Sequence, residues 1–78
     1  MRDPRVIKVD GVIEEALPGL LFRVKLFNEK NEAGEPKIVL AHMGGKMKMY
    51  RIRVVPGDRV TVEMPSITDK RGRIIRRL

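Results

Sequence analysis

Apolar and polar residues alternate with a period of two along most of the chain, the spacing of half-buried strands rather than of helices. Ile7, Val9, Gly11 and Ile13 make one face of the first such stretch, and Lys8, Asp10, Val12 and Glu14 the other. Leu17-Pro18-Gly19-Leu20 interrupts it with turn chemistry. Proline presets φ there, and glycine accepts the positive φ that a type II turn requires. Beyond the turn, Leu20, Phe22, Val24 and Leu26 alternate with Arg23 and Lys25, which predicts a hairpin from Val6 to Phe27 with Phe22 in the core.

Asn28 to Pro36 is polar and broken by Gly34 and Pro36, so it reads as a surface loop. It is longer than the commonest hairpin connections of about 2 to 5 residues. Lys37 to His42 is a short third strand, and its Ile38-Val39-Leu40 run predicts burial on both faces. Met43-Gly44-Gly45 ends it. Between Lys46 and Val54 the alternation lapses, and Met47, Tyr50 and Val54 fall at helical spacing. A single short helical turn is predicted, with two glycines upstream to let the chain swing into it. Val55-Pro56-Gly57-Asp58 is a second turn. Arg59 to Met64 then places Val60, Val62 and Met64 inward and Arg59, Thr61 and Glu63 outward. After a loop from Pro65 to Lys70, Arg71-Gly72-Arg73 leads into a fifth strand, Ile74 to Leu78.

The predicted order is strand, strand, strand, short helix, strand, strand: an all-β domain spanning residues 1–78 without repeats or linkers. So small a sheet must cover its edges, and closure into a barrel is the usual solution. Five strands with a short helix between strands 3 and 4 predict a five-stranded oligonucleotide-binding (OB) barrel. An SH3-like barrel is the nearest competitor, but its helical turn usually joins the fourth and fifth strands.

Composition narrows the class. At 78 residues the core is thin and leaves little room for a deep catalytic pocket. Hydrophobic residues make up 42% of the chain, too many for a disordered tail. Without cysteine there is no disulfide, thiolate metal site or thiol nucleophile. No apolar run approaches a membrane span, and Met1-Arg2-Asp3-Pro4 is not followed by a signal-peptide stretch, so a cytoplasmic protein with no membrane partner is expected.

The net charge of +7 is unevenly placed. Residues 1–45 carry seven basic and seven acidic side chains, whereas residues 46–78 carry ten basic and three acidic ones. Seven of those ten are arginine, whose planar fork suits phosphate. Charge gathered in one half of a small domain is the footprint of a polyanion binder, and nucleic acid is favoured over an acidic protein or a membrane surface.

Catalysis finds little support. His42 is the sole histidine and Ser66 the sole serine, far apart in sequence. Glu14-Glu15 occupy opposite faces of a strand, and Glu29, Glu32 and Glu35 lie in a loop, so no carboxylate pair is held at fixed separation. Gly44-Gly45-Lys46 lacks the earlier glycine and the following Ser/Thr of a phosphate loop. The expectation is a non-enzyme with no metal and no cofactor. Binding finds more. Lys46, Lys48, Arg51 and Arg53 crowd one short segment, and Arg71, Arg73, Arg76 and Arg77 crowd the last strand. For the first cluster a phosphate-binding role outweighs mere solubility; for the second the two readings balance. Phe22, Phe27 and Tyr50 are the only aromatics, too few for a platform that stacks successive bases of a single strand. Charge without rings points to folded RNA read by phosphates and shape. Tyr50 and Met47 are candidates for insertion at that interface or for core packing.

Gly11-Val-Ile-Glu-Glu-Ala-Leu-Pro-Gly-Leu-Leu-Phe-Arg-Val-Lys-Leu26 resembles the first hairpin of the bacterial translation initiation factor 1 family, an S1-like OB barrel. Ala41-His42, Gly45-Lys46-Met47 and Ile52-Arg53 resemble its central segment; Pro56-Gly57-Asp58-Arg59-Val60 and Arg71-Gly72-Arg73-Ile74 resemble its last turn and strand. The match covers nearly the whole chain in order. It implies binding at the decoding (A) site of the small (30S) ribosomal subunit, against 16S rRNA and a neighbouring ribosomal protein. It also implies occlusion of that site during initiation, cooperation with initiation factors two and three, and no catalysis. The family's RNA-contacting positions map to Lys46, Lys48, Arg53, Arg71 and Arg73; His42 and Gly45 belong to its central segment and are further candidates at the interface. A monomer off the ribosome is expected. The chain departs from the family pattern in Lys48, where arginine is common, in Tyr50-Arg51, where the aromatic is shifted and a charge added, and in the longer segment 28–37. The alternative function is a general RNA-binding protein or RNA chaperone with the same fold.

Overall fold

The computed structural model describes residues 6–66 and 69–78. Five strands and one helix follow in the expected order: β1 (Ile7–Leu17), β2 (Leu21–Lys30), β3 (Pro36–Met43), α1 (Gly45–Met49), β4 (Arg59–Met64) and β5 (Arg71–Arg77). The strands close in the order β1-β2-β3-β5-β4, with β4 returning to β1. All pairings are antiparallel except β3 with β5, which is parallel. This is the OB barrel that the strand and helix order predicts.

Closure depends on β1 serving two neighbours. Its first half, from Ile7 to Val12, pairs with β4, and its second half, from Gly11 to Leu17, pairs with β2. At the changeover a Cβ on Gly11 would stand 2.6 Å from the Lys25 carbonyl oxygen, so only glycine lets the strand bend this tightly. Just beyond, Glu14 is an extra residue between the Ile13–Val24 and Glu15–Arg23 pairs, a bulge that sharpens the coil. Ile75 is skipped in the same way where β5 meets β4.

Alternation delivers the core. Val24, Ala41, Val60, Val62, Met64 and Ile74 are fully buried inside the barrel, joined by Ile13, Phe22, Leu26, Val39 and Met43. Met47 of α1 enters from the end and is 2% exposed.

Four local expectations need correction. Strand β2 runs on to Lys30 and β3 starts at Pro36, so the predicted loop 28–36 contracts to 31–35. The reason is Asn31, whose Oδ1 accepts from the N–H groups of Ala33 (2.9 Å) and Glu35 (3.1 Å) and lets the hairpin arm continue. Ile38 is 48% exposed instead of buried on both sides, because none of the described elements covers the outside of β2 and β3 there. Thr61 faces outward yet is buried, its hydroxyl donating to Asp10 Oδ1 at 2.7 Å on the neighbouring strand. Finally, β5 already begins at Arg71. Residues 67 and 68 of the predicted 65–70 loop lie outside the described residues.

Candidate nucleic-acid interface

The two basic clusters are separate in sequence, and the barrel brings them together. Gly72 and Ile74 point inward on β5, so Arg71 and Arg73 point out and are exposed. Gly72 has no room for a side chain: a Cβ would stand 2.5 Å from Val62 Cγ1 and 3.1 Å from the Glu63 carbonyl oxygen. Parallel pairing with β3 sets His42 beside Arg73, and antiparallel pairing with β4 sets Glu63 on its other side. The Arg73 guanidinium is ion-paired with the Glu63 carboxylate.

Helix α1 is fastened to the same strand. The Gly44 N–H donates to the Ile74 carbonyl at 2.8 Å just before the helix starts. Met47 is its buried anchor, while Lys46 and Lys48 remain exposed in its last turn, where positive charge complements the helix dipole. The helix ends in a Schellman cap: the Ile52 N–H donates to the Met47 carbonyl (2.9 Å) and the Arg51 N–H to that of Lys48 (3.1 Å). Half-buried Ile52 joins the same core as Met47, the apolar contact that accompanies this cap. Arg51 occupies the left-handed position, φ 54°, where glycine is usual.

Two shallow clefts flank Arg73. One, about 370 Å³, is lined by Val6, His42, Glu63, Met64, Pro65, Arg71, Gly72 and Arg73. The other, about 330 Å³, is lined by Gly44, Gly45, Lys46, Met47, Arg73 and Ile75. Arg73 thus joins the strand cluster to the helix cluster. Farther along, Arg77 Nη1 donates to the Arg53 carbonyl at 3.0 Å, a second tie between them. Arg76 lines neither cleft and lies in register with Thr61.

Ion pairing divides the surface. Glu14 and Glu15, expected on opposite faces of the strand, both lie on the outside because the bulge at Glu14 interrupts the alternation; Arg23 meets Glu15 at 3.5 Å and Lys25 meets Glu14 at 3.6 Å, so those cations are locally neutralised. Among the described residues, Lys46, Lys48, Arg51, Arg53, Arg71 and Arg76 are exposed and pair with no carboxylate. They are free to neutralise phosphates.

Of the residues singled out for packing or insertion, Met47 packs in the core and Tyr50 is 69% exposed. The helical-spacing pattern groups Tyr50 with Met47 and Val54, but α1 stops at Met49 and turns Tyr50 away from the buried face. His42 is exposed in the first cleft; Gly45 borders the second, with open space where a side chain would go. Sequence reasoning missed Glu63 as the partner of Arg73, because the β4–β5 register that joins them leaves no local signal. Among the described residues no cluster of three or more metal-ligating side chains occurs, and no helix is long and apolar enough to cross a membrane.

A closed five-stranded OB barrel with unpaired cations along its last strand and its helix defines a binding module suited to polyanions. The model of the family described as translation initiation factor 1A / IF-1 matches residues 3–78, and the chain belongs to that family of translation initiation factors. The chain is similar to translation initiation factor 1 from the Wolbachia endosymbiont (strain TRS) of Brugia malayi, with 42% identity and a TM-score of 0.70. That match covers 99% of this chain and 83% of the other. YjeQ from Thermotoga maritima shares the fold alone, at 24% identity and a TM-score of 0.64, over 92% of this chain and 23% of that one.

Proposed function

We propose that the chain binds the A site of the 30S ribosomal subunit through 16S rRNA and occludes it during initiation. In this reading it works in the cytoplasm as a monomer until it docks, contacts a neighbouring ribosomal protein there, and cooperates with initiation factors two and three. It holds the RNA by charge and shape and has no catalytic role. Lys46, Lys48, Arg51, Arg53, Arg71, Arg73, Arg76 and Arg77 supply the phosphate contacts, with His42, Gly45 and Tyr50 at the interface. The observation that carries the reading is the convergence of both basic clusters on Arg73 in a chain of this family.

Binding of labelled protein to purified small subunits, titrated with salt against an unrelated structured RNA, tests it. Saturable one-to-one binding that survives the competitor and strengthens with initiation factors two and three is expected. Arg53→Ala and Arg73→Ala should each weaken binding and flatten the salt dependence by about one unit of log–log slope. Equal affinity for subunit and competitor would refute the reading and leave a general RNA-binding barrel.

A further inference from the structure

A single row of paired positions crosses β1, β4 and β5 and carries Lys8, Glu63 and Arg73 in that order. Ile7 and Val9 pack against the core, and Val62, Met64 and Ile74 lie within it, which turns all three side chains of the row outward. Residues directly opposite in antiparallel strands have Cβ atoms about 4.5–5.5 Å apart. Glu63 therefore has a cation on each side, and its carboxylate is ion-paired with Arg73. Lys8 is exposed and has no carboxylate partner among the described residues. The nearest acid on its own strand face, Asp10, accepts the Thr61 hydroxyl at 2.7 Å. When Arg73 turns to a phosphate, Glu63 loses its cation. Only 20% of the Glu63 side-chain surface is open to water, so solvent replaces that partner incompletely, and the carboxylate is left beside the phosphate.

We propose that Lys8 takes over the Glu63 carboxylate when Arg73 turns to a phosphate, so that the ion pair shifts along the row instead of being lost. Lys8 is a positioning residue for the RNA site: it touches no phosphate and acts through Glu63. The inference rests on the small-subunit reading above, in which Arg73 is a phosphate contact. An ammonium on a flexible four-carbon stem suits the role, since it reaches a carboxylate without a fixed direction of approach. Lys8 also brings to the site a cation from residues 1–45, the half of the chain whose charges sum to zero.

The test is a double-mutant cycle on affinity for purified small subunits at a fixed low salt concentration, with wild type, Lys8→Met, Glu63→Gln and the double variant. Methionine keeps much of the apolar stem of lysine, and neither position belongs to the core. Lys8→Met alone should weaken binding about two- to fivefold, the range of an exposed ion pair. In the Glu63→Gln background the same change should have almost no effect, and Lys8→Arg, which keeps the charge, should bind as the wild type does. An equal loss from Lys8→Met in both backgrounds would overturn the proposal, since Lys8 would then meet the RNA without Glu63. No loss in either background would overturn it too, because Glu63 would need no second cation. Failure of the wild type itself to bind subunits saturably would overturn the functional reading, and this inference with it.

Discussion

Arg51 has a backbone conformation at odds with its side chain. Its φ of 54° is left-handed, and that conformation costs a residue with a Cβ about 1–2 kcal/mol. Arg51→Gly removes this strain while keeping both hydrogen bonds of the cap, which are made by main-chain groups. Against it stands the greater freedom that glycine has in the unfolded chain, about 0.4–1 kcal/mol. The balance is a gain of about 0.5–1 kcal/mol, or about 2–8 °C in Tm for a domain of this size. The same substitution removes a cation without a partner, so binding to small subunits should weaken and the log–log salt slope should fall by about one. Arg51→Ala is the control: it loses the same charge but retains the strained Cβ. The two variants should bind alike, whereas only the glycine variant should melt higher than wild type. Differential scanning calorimetry and salt-dependent binding on all three proteins suffice. Equal melting temperatures for the glycine and alanine variants would refute the strain argument. Unchanged subunit affinity in both would show that Arg51 contacts no phosphate, and its left-handed placement would have no functional explanation.

Two further substitutions probe the platform on which the site rests. Gly72→Ala should cost about 1–3 kcal/mol by overpacking, because the new methyl would press on Val62 and on the Glu63 backbone inside the barrel. A melting temperature equal to wild type would mean that the barrel yields more readily than its geometry implies. Glu63→Gln should tighten RNA binding about two- to fivefold, since Arg73 no longer has to give up an ion pair, worth at most about 1 kcal/mol, to meet a phosphate. Weaker binding in a filter assay would instead show that Glu63 is needed to aim the guanidinium.

The strands are legible because each carries its own record of which side is buried. Val60, Val62 and Met64 alternate with polar neighbours, and the structure buries all three. The helix is legible as a lapse in that alternation, but its extent is not. A pattern of Met47, Tyr50 and Val54 assumes that the helix continues, whereas the cap at Arg51 ends it and leaves Tyr50 in solvent. Ile38 misleads in the opposite direction: an apolar run predicts cover, but cover must come from another element, and none of the described ones lies over that part of β2 and β3. Composition assigns residues 28–30 to a loop, because nothing local reveals that Asn31 ties off a shorter one.

The candidate site divides along the same line. Sequence alone determined that ten cations fall in residues 46–78, that eight of them form two groups, and that strand alternation directs Arg71 and Arg73 outward. Those properties depend only on residue order and on the two-residue period of a strand. Tertiary structure decided that the groups meet at Arg73, that Glu63 pairs with its guanidinium, and that Glu14 and Glu15 cancel the charge of β2 and not that of β5. The period of a strand shows which face a residue occupies but not which strand lies beside it. Partnership is set by register and barrel closure, to which every strand contributes at once.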